Sequence, residues 1–141
     1  MRGLTDYYER GREHIHMYTV SVRRDFVAEH FLTGGDWGPE NHPHSHHYRV
    51  EVLLEGPTLD RHGYLVDITD IKAHLEMLLA YFRGETLNEI PEFEGLNPSL
   101  EHFARIFCQA LSRRIESPHL SAVTVKMWED EGAWAAYRQE R

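Results

Sequence analysis

Apolar and polar positions alternate along two stretches near the start of the chain and two at its end. Residues 18–28 are rich in β-branched and aromatic side chains, and residues 46–55 place Tyr48, Val50, Val52 and Leu54 on one face. This alternation predicts half-buried strands, because successive side chains of a strand point to opposite faces. The stretches 121–129 and 132–138 follow the same rule, and the run 64–68 predicts a short edge or third strand.

Two segments in the middle of the chain carry apolar residues at helical spacing. In residues 70–82 the apolar stripe follows Asp67 or Thr69 as the candidate N-cap, and its members are Ile71, Leu75, Leu78, Leu79 and Phe82. Ser99 is the expected N-cap of a second helix that reaches about Ile115. The order β-β-(β)-α-α-β-β predicts an α+β fold with an antiparallel β-sheet and two helices packed on one face.

Size and charge exclude several classes of protein. A chain of 141 residues is one ordinary domain, with residues 1–16 as a polar N-terminal arm and 17–141 as the domain itself. The net charge of -8, without a dense Lys/Arg block, argues against a nucleic-acid partner. There is no apolar run of the roughly 18–20 residues that a membrane span needs, and no secretory signal, so we expect a cytoplasmic protein. Cys108, the one cysteine, lies among apolar residues and is expected to be a buried structural thiol.

Histidine is the unusual component, with eleven in the chain and five of them between His30 and His47. His44 and His46 stand at i and i+2 on an extended chain, so both rings point to the same side of the sheet. His30 ends the neighbouring strand and can project into the same region. Three histidines without a cysteine are typical of an open, catalytic Zn2+ site. The alternative is a solvated histidine cluster in a surface loop, which is our interpretation of His42 and His47.

An ordered set of short motifs resembles the 6-pyruvoyl-tetrahydropterin synthase and 6-carboxy-tetrahydropterin synthase family. The set begins with F-x-A-x-H at 26–30 and H-x-H-x-Y at 44–48, and continues with G-x-x-V-D-I at 63–68. It ends with L-N at 87–88, N-P-S-x-E at 97–101 and V-K-x-W-E at 125–129. The resemblance covers about 18–137 and implies the family's tunnelling fold, in which subunits assemble as a homo-oligomeric hexamer around a central barrel.

The resemblance also implies roles for individual residues. His30, His44 and His46 would hold zinc, and Glu129 would bind the pterin, because a carboxylate can accept two hydrogen bonds from the ring N–H and the 2-amino group. Ser99 would lie near the pterin as a further hydrogen-bonding group. The alternatives are a strand-end surface carboxylate for Glu129 and a simple helix cap for Ser99.

Two departures from the family pattern concern catalysis. The usual cysteine before the H-x-H pair is absent, and Glu40 stands four residues before His44. This resembles a subgroup in which glutamate replaces the cysteine and the product is 6-hydroxymethyl-dihydropterin, so Glu40 is the candidate catalytic base. The usual Asp-His pair before Leu87 and Asn88 is also missing, and the sequence does not establish His42 or Glu85 as its replacement.

The expected function is therefore that of a zinc-dependent lyase acting on 7,8-dihydroneopterin triphosphate or a related reduced pterin. The triphosphate would need a local basic patch on this acidic chain, for which the candidates are Arg23, Arg24 and Lys126. Two alternatives stay open: a non-catalytic pterin-binding protein on the same scaffold, and a histidine-rich metal-binding protein without a pterin site.

Overall fold

The computed structural model describes residues 16–141, in which four strands and two α-helices follow the predicted order. The strands are β1 (Tyr18–His30), β2 (His44–Gly56), β3 (Ala122–Asp130) and β4 (Ala133–Glu140). The helices are α1 (Ile68–Phe82) and α2 (Leu100–Arg114). The predicted α+β class is confirmed, whereas the predicted arm lies outside the described residues except for His16.

All four strands belong to one antiparallel sheet in the order β1-β2-β3-β4. Both helices cover the same face of it, since α1 packs against β1 and α2, and α2 packs against β3 and β4. The core fills the space between, and its largest fully buried side chains include Tyr48, Phe82, Phe93, Phe103 and Phe107. The prediction of two helices on one face of an antiparallel sheet is confirmed.

Each helix begins at a side-chain cap. The Asp67 carboxylate accepts a hydrogen bond of 2.9 Å from the Thr69 N–H, so Asp67 rather than Thr69 is the N-cap of α1. Ser99 Oγ accepts from the His102 N–H at 3.2 Å, which confirms Ser99 as the cap of α2. The caps fix where both helices begin, because they satisfy amide groups that have no partner within the helix.

The predicted strand at 64–68 is wrong. This segment pairs with no strand in the described structure and leads directly into α1. Its backbone is held by a turn in which Asp60 accepts from the Tyr64 N–H at 3.0 Å, and by the Ser117 hydroxyl, which donates to the Leu65 carbonyl at 3.2 Å. Leu65 and Val66 are buried in the core, which explains a strand-like composition without a strand. The second strand also begins earlier than predicted, at His44 rather than His46.

The outer edge of β1 is partly covered by the segment 84–88. The Gly84 N–H donates to the Val27 carbonyl at 2.8 Å, and the Glu29 N–H donates to the Glu85 carbonyl at 2.9 Å. Glu29 and Thr86 thus form an isolated parallel bridge. The last residues of β1 are therefore hydrogen-bonded on both sides, by β2 on one side and by this segment on the other.

Cys108 is fully buried on α2, and its thiol contacts the Val123 carbonyl at 3.4 Å. The expectation of a buried structural thiol is confirmed. Burial raises the pKa of Cys108 to about 11, so the thiol is neutral at physiological pH. Within residues 16–141, no helix has the length and apolar character that crossing a membrane requires.

Candidate functional site

Strand pairing brings the three predicted histidines together. In the antiparallel register of β1 and β2, His30 lies directly opposite His44, and Ala28 lies opposite His46. The three ring centroids are 4.6 to 4.7 Å apart. The i, i+2 spacing on β2 and the end of β1 thus place three imidazoles on the helix-covered side of the sheet.

The free nitrogens of these rings form a set suited to a metal. One nitrogen from each of His30, His44 and His46 lies within 4.8 Å of the others. Nε2 of His44 and Nε2 of His46 are buried and form no hydrogen bond, although Glu129 Oε1 lies 3.3 Å from the His46 nitrogen, and a buried nitrogen in this state is costly unless a ligand satisfies it. Three neutral imidazoles are a donor set that zinc accepts, with bonds of about 2 Å. The residues present therefore fit a zinc ion.

The Nδ1 atoms of two of the three rings are already engaged. His44 Nδ1 lies 2.8 Å from the His42 carbonyl, and His30 Nδ1 lies 3.0 Å from the Tyr48 hydroxyl. A protonated Nδ1 at these partners leaves Nε2 as the lone-pair nitrogen, which is the tautomer that a metal ligand needs. Tyr48 and the His42 carbonyl thus orient the rings of His30 and His44, and neither contact is predicted from the residue pattern beyond the H-x-H-x-Y spacing.

Burial keeps His30 neutral. The side chain is only 2% exposed, and its removal from water lowers the pKa of His30 to about 4, with a further contribution from the neighbouring His46 and His44. The Pro98 carbonyl acts in the opposite direction. Burial, followed by the charge of Glu129, raises the pKa of Tyr48, so its hydroxyl keeps its proton.

Glu129 reaches the same site from the end of β3, where it continues the face that carries the buried Val125 and Met127. The pairing of β3 with β4 shifts between Trp128 and Asp130, which leaves Glu129 as the extra residue of a β-bulge. Its Oε1 lies 3.3 Å from Nε2 of His46 and 3.7 Å from Nε2 of His30. The carboxylate is about one-third exposed, at 31%, so it borders both the histidines and solvent.

Ser99 belongs to a short segment that connects α2 to the histidines. The His102 ring contacts the Asn97 carbonyl at 2.8 Å, and the next carbonyl, that of Pro98, is hydrogen-bonded to His30. Ser99 itself caps the helix, as described above. Its contact with a pterin stays a prediction.

Glu40 lies in a short 3-10 turn, Gly38–Asn41, and its side chain is exposed. The turn is fixed at its base, because the Leu32 N–H donates to the Glu40 carbonyl at 2.8 Å. The Asn41 amide donates to the carbonyls of Leu32 and Gly35, at 3.1 and 3.0 Å. The backbone at Glu40 is therefore held by hydrogen bonds, whereas a catalytic role for the carboxylate stays a prediction.

Two more asparagines hold the chain that leads away from His30. Asn88 pairs with both the N–H and the carbonyl of Phe31, at 3.0 and 2.8 Å, and Asn97 accepts from the Thr33 N–H at 2.9 Å. Sequence reasoning noted both residues only as parts of motifs. Their role here is to fix the loop between β1 and β2 by side-chain to backbone hydrogen bonds.

The basic residues proposed to bind a triphosphate contact other groups of the chain and none of the three histidines in the described structure. Arg24 forms an ion pair of 2.8 Å with Glu76, and Lys126 lies 4.3 Å from the centroid of the Trp134 ring. Arg23 lies opposite Glu51 in the β1–β2 register. A cavity of about 630 Å³ borders the site at Glu129, and it is lined by Asp25, His47, Arg49, Trp128, Glu129, Asp130 and Glu131.

Comparison with known proteins agrees with this architecture. A family model described as 6-pyruvoyl tetrahydropterin synthase matches residues 19–140. The structure of Caenorhabditis elegans 6-pyruvoyl tetrahydropterin synthase superposes with a TM-score of 0.77 at 21% identity, covering 89% of this chain and 98% of that one. The Plasmodium vivax 6-pyruvoyltetrahydropterin synthase superposes with a TM-score of 0.74 at 14% identity, covering 89% and 99%.

An uncharacterised protein from Wolinella succinogenes has the same fold, with a TM-score of 0.66 at 17% identity over 88% of this chain and 99% of that one. The search of curated proteins found no match. At these identities the solved structures establish the fold, and the family model spans nearly all the described residues.

Proposed function

The chain belongs to the 6-pyruvoyl tetrahydropterin synthase family, and on that basis we propose that it is a zinc-dependent lyase acting on 7,8-dihydroneopterin triphosphate or a related reduced pterin. The observation that carries the proposal is the convergence of three buried histidine nitrogens with a carboxylate oxygen 3.3 Å from one of them. The family and the fold support a role in pterin metabolism. The choice of metal, substrate and reaction is our proposal.

His30, His44 and His46 would hold the zinc ion through Nε2. When bound, zinc supplies Lewis acidity toward the hydroxyl groups of the substrate side chain and so acidifies the neighbouring C–H bonds. The chain contributes the orientation of the rings, through Tyr48 and the His42 carbonyl. It also contributes an environment in which His30 is neutral.

Glu129 would bind the pterin ring. A carboxylate can accept two parallel hydrogen bonds from the ring N–H and the 2-amino group. Its position beside the histidines would place the side chain of the pterin over the metal ligands, which is the orientation contribution to catalysis. Ser99, at the start of α2, is the second proposed contact.

Glu40 would act as the base that removes and returns protons on the substrate side chain. Solved variants of the Plasmodium vivax enzyme replace a catalytic glutamate by alanine or cysteine. A glutamate can therefore serve this scaffold as a catalytic residue, and Glu40 is our candidate for it here. The fixed backbone of its turn supports that assignment.

A second candidate function is a pterin-binding protein that does not turn over. The observation that favours it lies in the segment before Leu87 and Asn88. The family's Asp-His pair is missing there, where the chain reads Phe82-Arg83-Gly84-Glu85-Thr86, and this segment covers part of the edge of β1.

Product analysis separates the two functions. Purified protein loaded with zinc is incubated with 7,8-dihydroneopterin triphosphate, and mass spectrometry identifies any 6-pyruvoyl, 6-carboxy or 6-hydroxymethyl pterin. The enzyme proposal expects a new pterin and a loss of about 100-fold or more in rate for Glu40→Gln, as is usual for a lost general base. Glu94→Gln, an exposed glutamate in another short turn, is the matched control and should leave the rate unchanged.

Pterin binding without any product would overturn the enzyme proposal and favour the second candidate. If the wild-type protein and the Glu129→Ala variant both bind zinc and neither binds a pterin, a simple metal-binding role would be favoured. The proposal also includes the cytoplasmic location and the hexamer expected from the family resemblance. Light scattering of the purified protein tests the assembly.

A further inference from the structure

A groove of about 730 Å³ runs between α1 and α2, and it is lined by residues of the two helices and by Glu92. On α2 the lining extends from Arg105 to Arg114, so the groove follows that helix for about 13.5 Å at the usual rise per residue. None of the lining residues belongs to a strand or to the candidate metal and pterin site. The groove is therefore a separate surface feature of the helical layer.

The floor of this groove is apolar. Leu78, Phe82 and Ile106 line it from the buried core, and Met77 and Tyr81 stand one turn apart on α1. Met77 is 57% exposed and Tyr81 is 43% exposed. Large apolar side chains that are grouped in a concave surface, rather than scattered singly, are typical of a binding site.

Arginine dominates the polar part of the lining. Arg105, Arg113 and Arg114 contribute three guanidinium groups, whereas Glu92 contributes the one carboxylate. That carboxylate is already engaged, because its two oxygens accept from the Tyr81 hydroxyl at 2.7 and 3.1 Å. Within residues 16–141 none of the three arginines forms an ion pair with a carboxylate.

The charge of the groove is opposite to that of the whole chain. The chain has a net charge of -8, yet three guanidinium groups face one carboxylate here. Complementary charge is what selects and orients a partner at an interface. Guanidinium groups also bind carboxylates through two parallel hydrogen bonds, and arginine is frequent among the residues that dominate binding energy. The occupant that fits this groove is therefore negatively charged.

The spacing of the polar residues suits a helical occupant. Arg105, Gln109 and Arg113 stand at i, i+4 and i+8 on α2 and form one row, with about 6 Å of helix between consecutive members. Gln109 accepts from Arg105 at 3.3 Å, which leaves other N–H groups of that guanidinium for a partner. A helix lying along the groove presents carboxylates at the same intervals and an apolar stripe toward the floor.

We propose that this groove is a docking site for an acidic amphipathic helix of another protein. Its carboxylates pair with Arg105 and Arg113, and its apolar side chains cover Met77 and Tyr81. A membrane surface is flat, and a nucleic acid offers its charge on an outer surface of phosphates, so neither fills a narrow groove with an apolar floor. The inference does not depend on the proposed function, because the two sites share no residue.

A designed peptide tests the docking site directly. The probe is a fluorescein-labelled peptide of about 18 residues, long enough to form a helix, with leucines at i, i+3, i+4 and i+7 and glutamates on the flanking positions. One control peptide has lysine in place of each glutamate, and another has the same composition in scrambled order. Fluorescence anisotropy with the full chain as purified should show the acidic amphipathic peptide binding at least about tenfold more tightly than either control.

Two variants locate the binding on the protein. Arg113→Glu and Met77→Ser change exposed residues of the groove and should each weaken peptide binding several-fold, at least about tenfold for the charge reversal. Arg61→Glu and Ile68→Ser make the same changes at exposed residues outside the groove lining and should leave the affinity unchanged. Hydrogen exchange should show peptide-dependent protection in both helices along the groove.

Several results would overturn this inference. The first is the absence of saturable peptide binding up to about 1 mM. Equal binding of the scrambled peptide, or wild-type affinity in Arg113→Glu, would show charge attraction without a docking site. Vesicles of phosphatidylcholine and phosphatidylserine that bind the wild type but not Arg113→Glu, without peptide binding, would assign the groove to a membrane. A smaller oligomer in Arg113→Glu by light scattering, again without peptide binding, would assign it to a second copy of this chain.

Discussion

The hydroxyl of Tyr48 is the group whose removal tests the proposed metal site most directly. Tyr48 is 1% exposed and His30 is 2% exposed, and the distance from the phenol oxygen to His30 Nδ1 is 3.0 Å. Tyr48→Phe deletes this oxygen and keeps the ring, which stacks on Phe26 with centroids 5.4 Å apart. The substitution therefore changes one hydrogen bond and very little packing.

The expected magnitude follows from that contact. A buried hydrogen bond contributes about 0.5–1.5 kcal/mol net, and the outer hydrogen-bond partner of a metal-bound histidine changes metal affinity by about 10–100-fold. His30 retains the Pro98 carbonyl as a second partner, so the effect should lie at the lower end. We expect Tyr48→Phe to bind zinc about tenfold more weakly and to lose about 1 kcal/mol of unfolding free energy.

Competition with a chromophoric chelator measures the affinity, and urea unfolding of the metal-free protein measures the stability. Tyr81→Phe is the matched control, because Tyr81 is exposed and its hydroxyl donates to the Glu92 carboxylate at 2.7 Å, in the region between the helices. The control should bind zinc as the wild type does. A folded Tyr48→Phe protein with wild-type zinc affinity would refute the claim that Tyr48 orients His30.

Two further predictions concern the scaffold. Cys108 should not react with a thiol reagent at pH 9 in the folded protein and should react at once in urea. Because burial raises the pKa of Cys108 from 9.0 to about 11, the folded protein keeps a proton that the unfolded chain releases between these pH values. The contribution of the neutral thiol to the free energy of unfolding is therefore lost as the pH rises from about 9 to about 11. Rapid reaction of the folded protein would contradict its burial. Asp67→Ala should cost about 1 kcal/mol of unfolding free energy through loss of the α1 cap, as measured by urea denaturation. An unchanged midpoint would show that α1 is fixed by its packing alone.

Periodicity was sufficient for most of the fold. The alternation that predicted β1 and β2, and the apolar stripes of α1 and α2, reflect faces that must be buried, so the pattern and the structure agree. The convergence of His30, His44 and His46 also followed from the i, i+2 rule and the pairing of neighbouring strands. These features depend on local spacing, which the sequence displays directly.

Other features depend on long-range contacts that spacing does not display. Leu65 and Val66 have a strand-like composition because they fill the core, yet Ser117, 52 residues from Leu65, accounts for part of that segment's backbone pairing. The closeness of Glu129 to His46 depends on the pairing of β2 with β3, which the spacing within a single strand does not display. The same holds for the contact of Tyr48 with His30, which joins two strands.

The covered edge of β1 limits how another strand could extend this sheet. Beyond about residue 26, the outward backbone groups of β1 are already used by Gly84 and Glu85. An incoming strand can therefore form a hydrogen-bonded ladder only along the earlier part of β1, which spans roughly nine residues, or about 30 Å at the usual rise per residue. Near His30 the same covering segment keeps a neighbour at a distance and leaves side chains, rather than backbone, as the surface that it would meet. The segment 84–88 thus blocks strand pairing along the last residues of β1, so a strand added at this edge would stop short of the histidines.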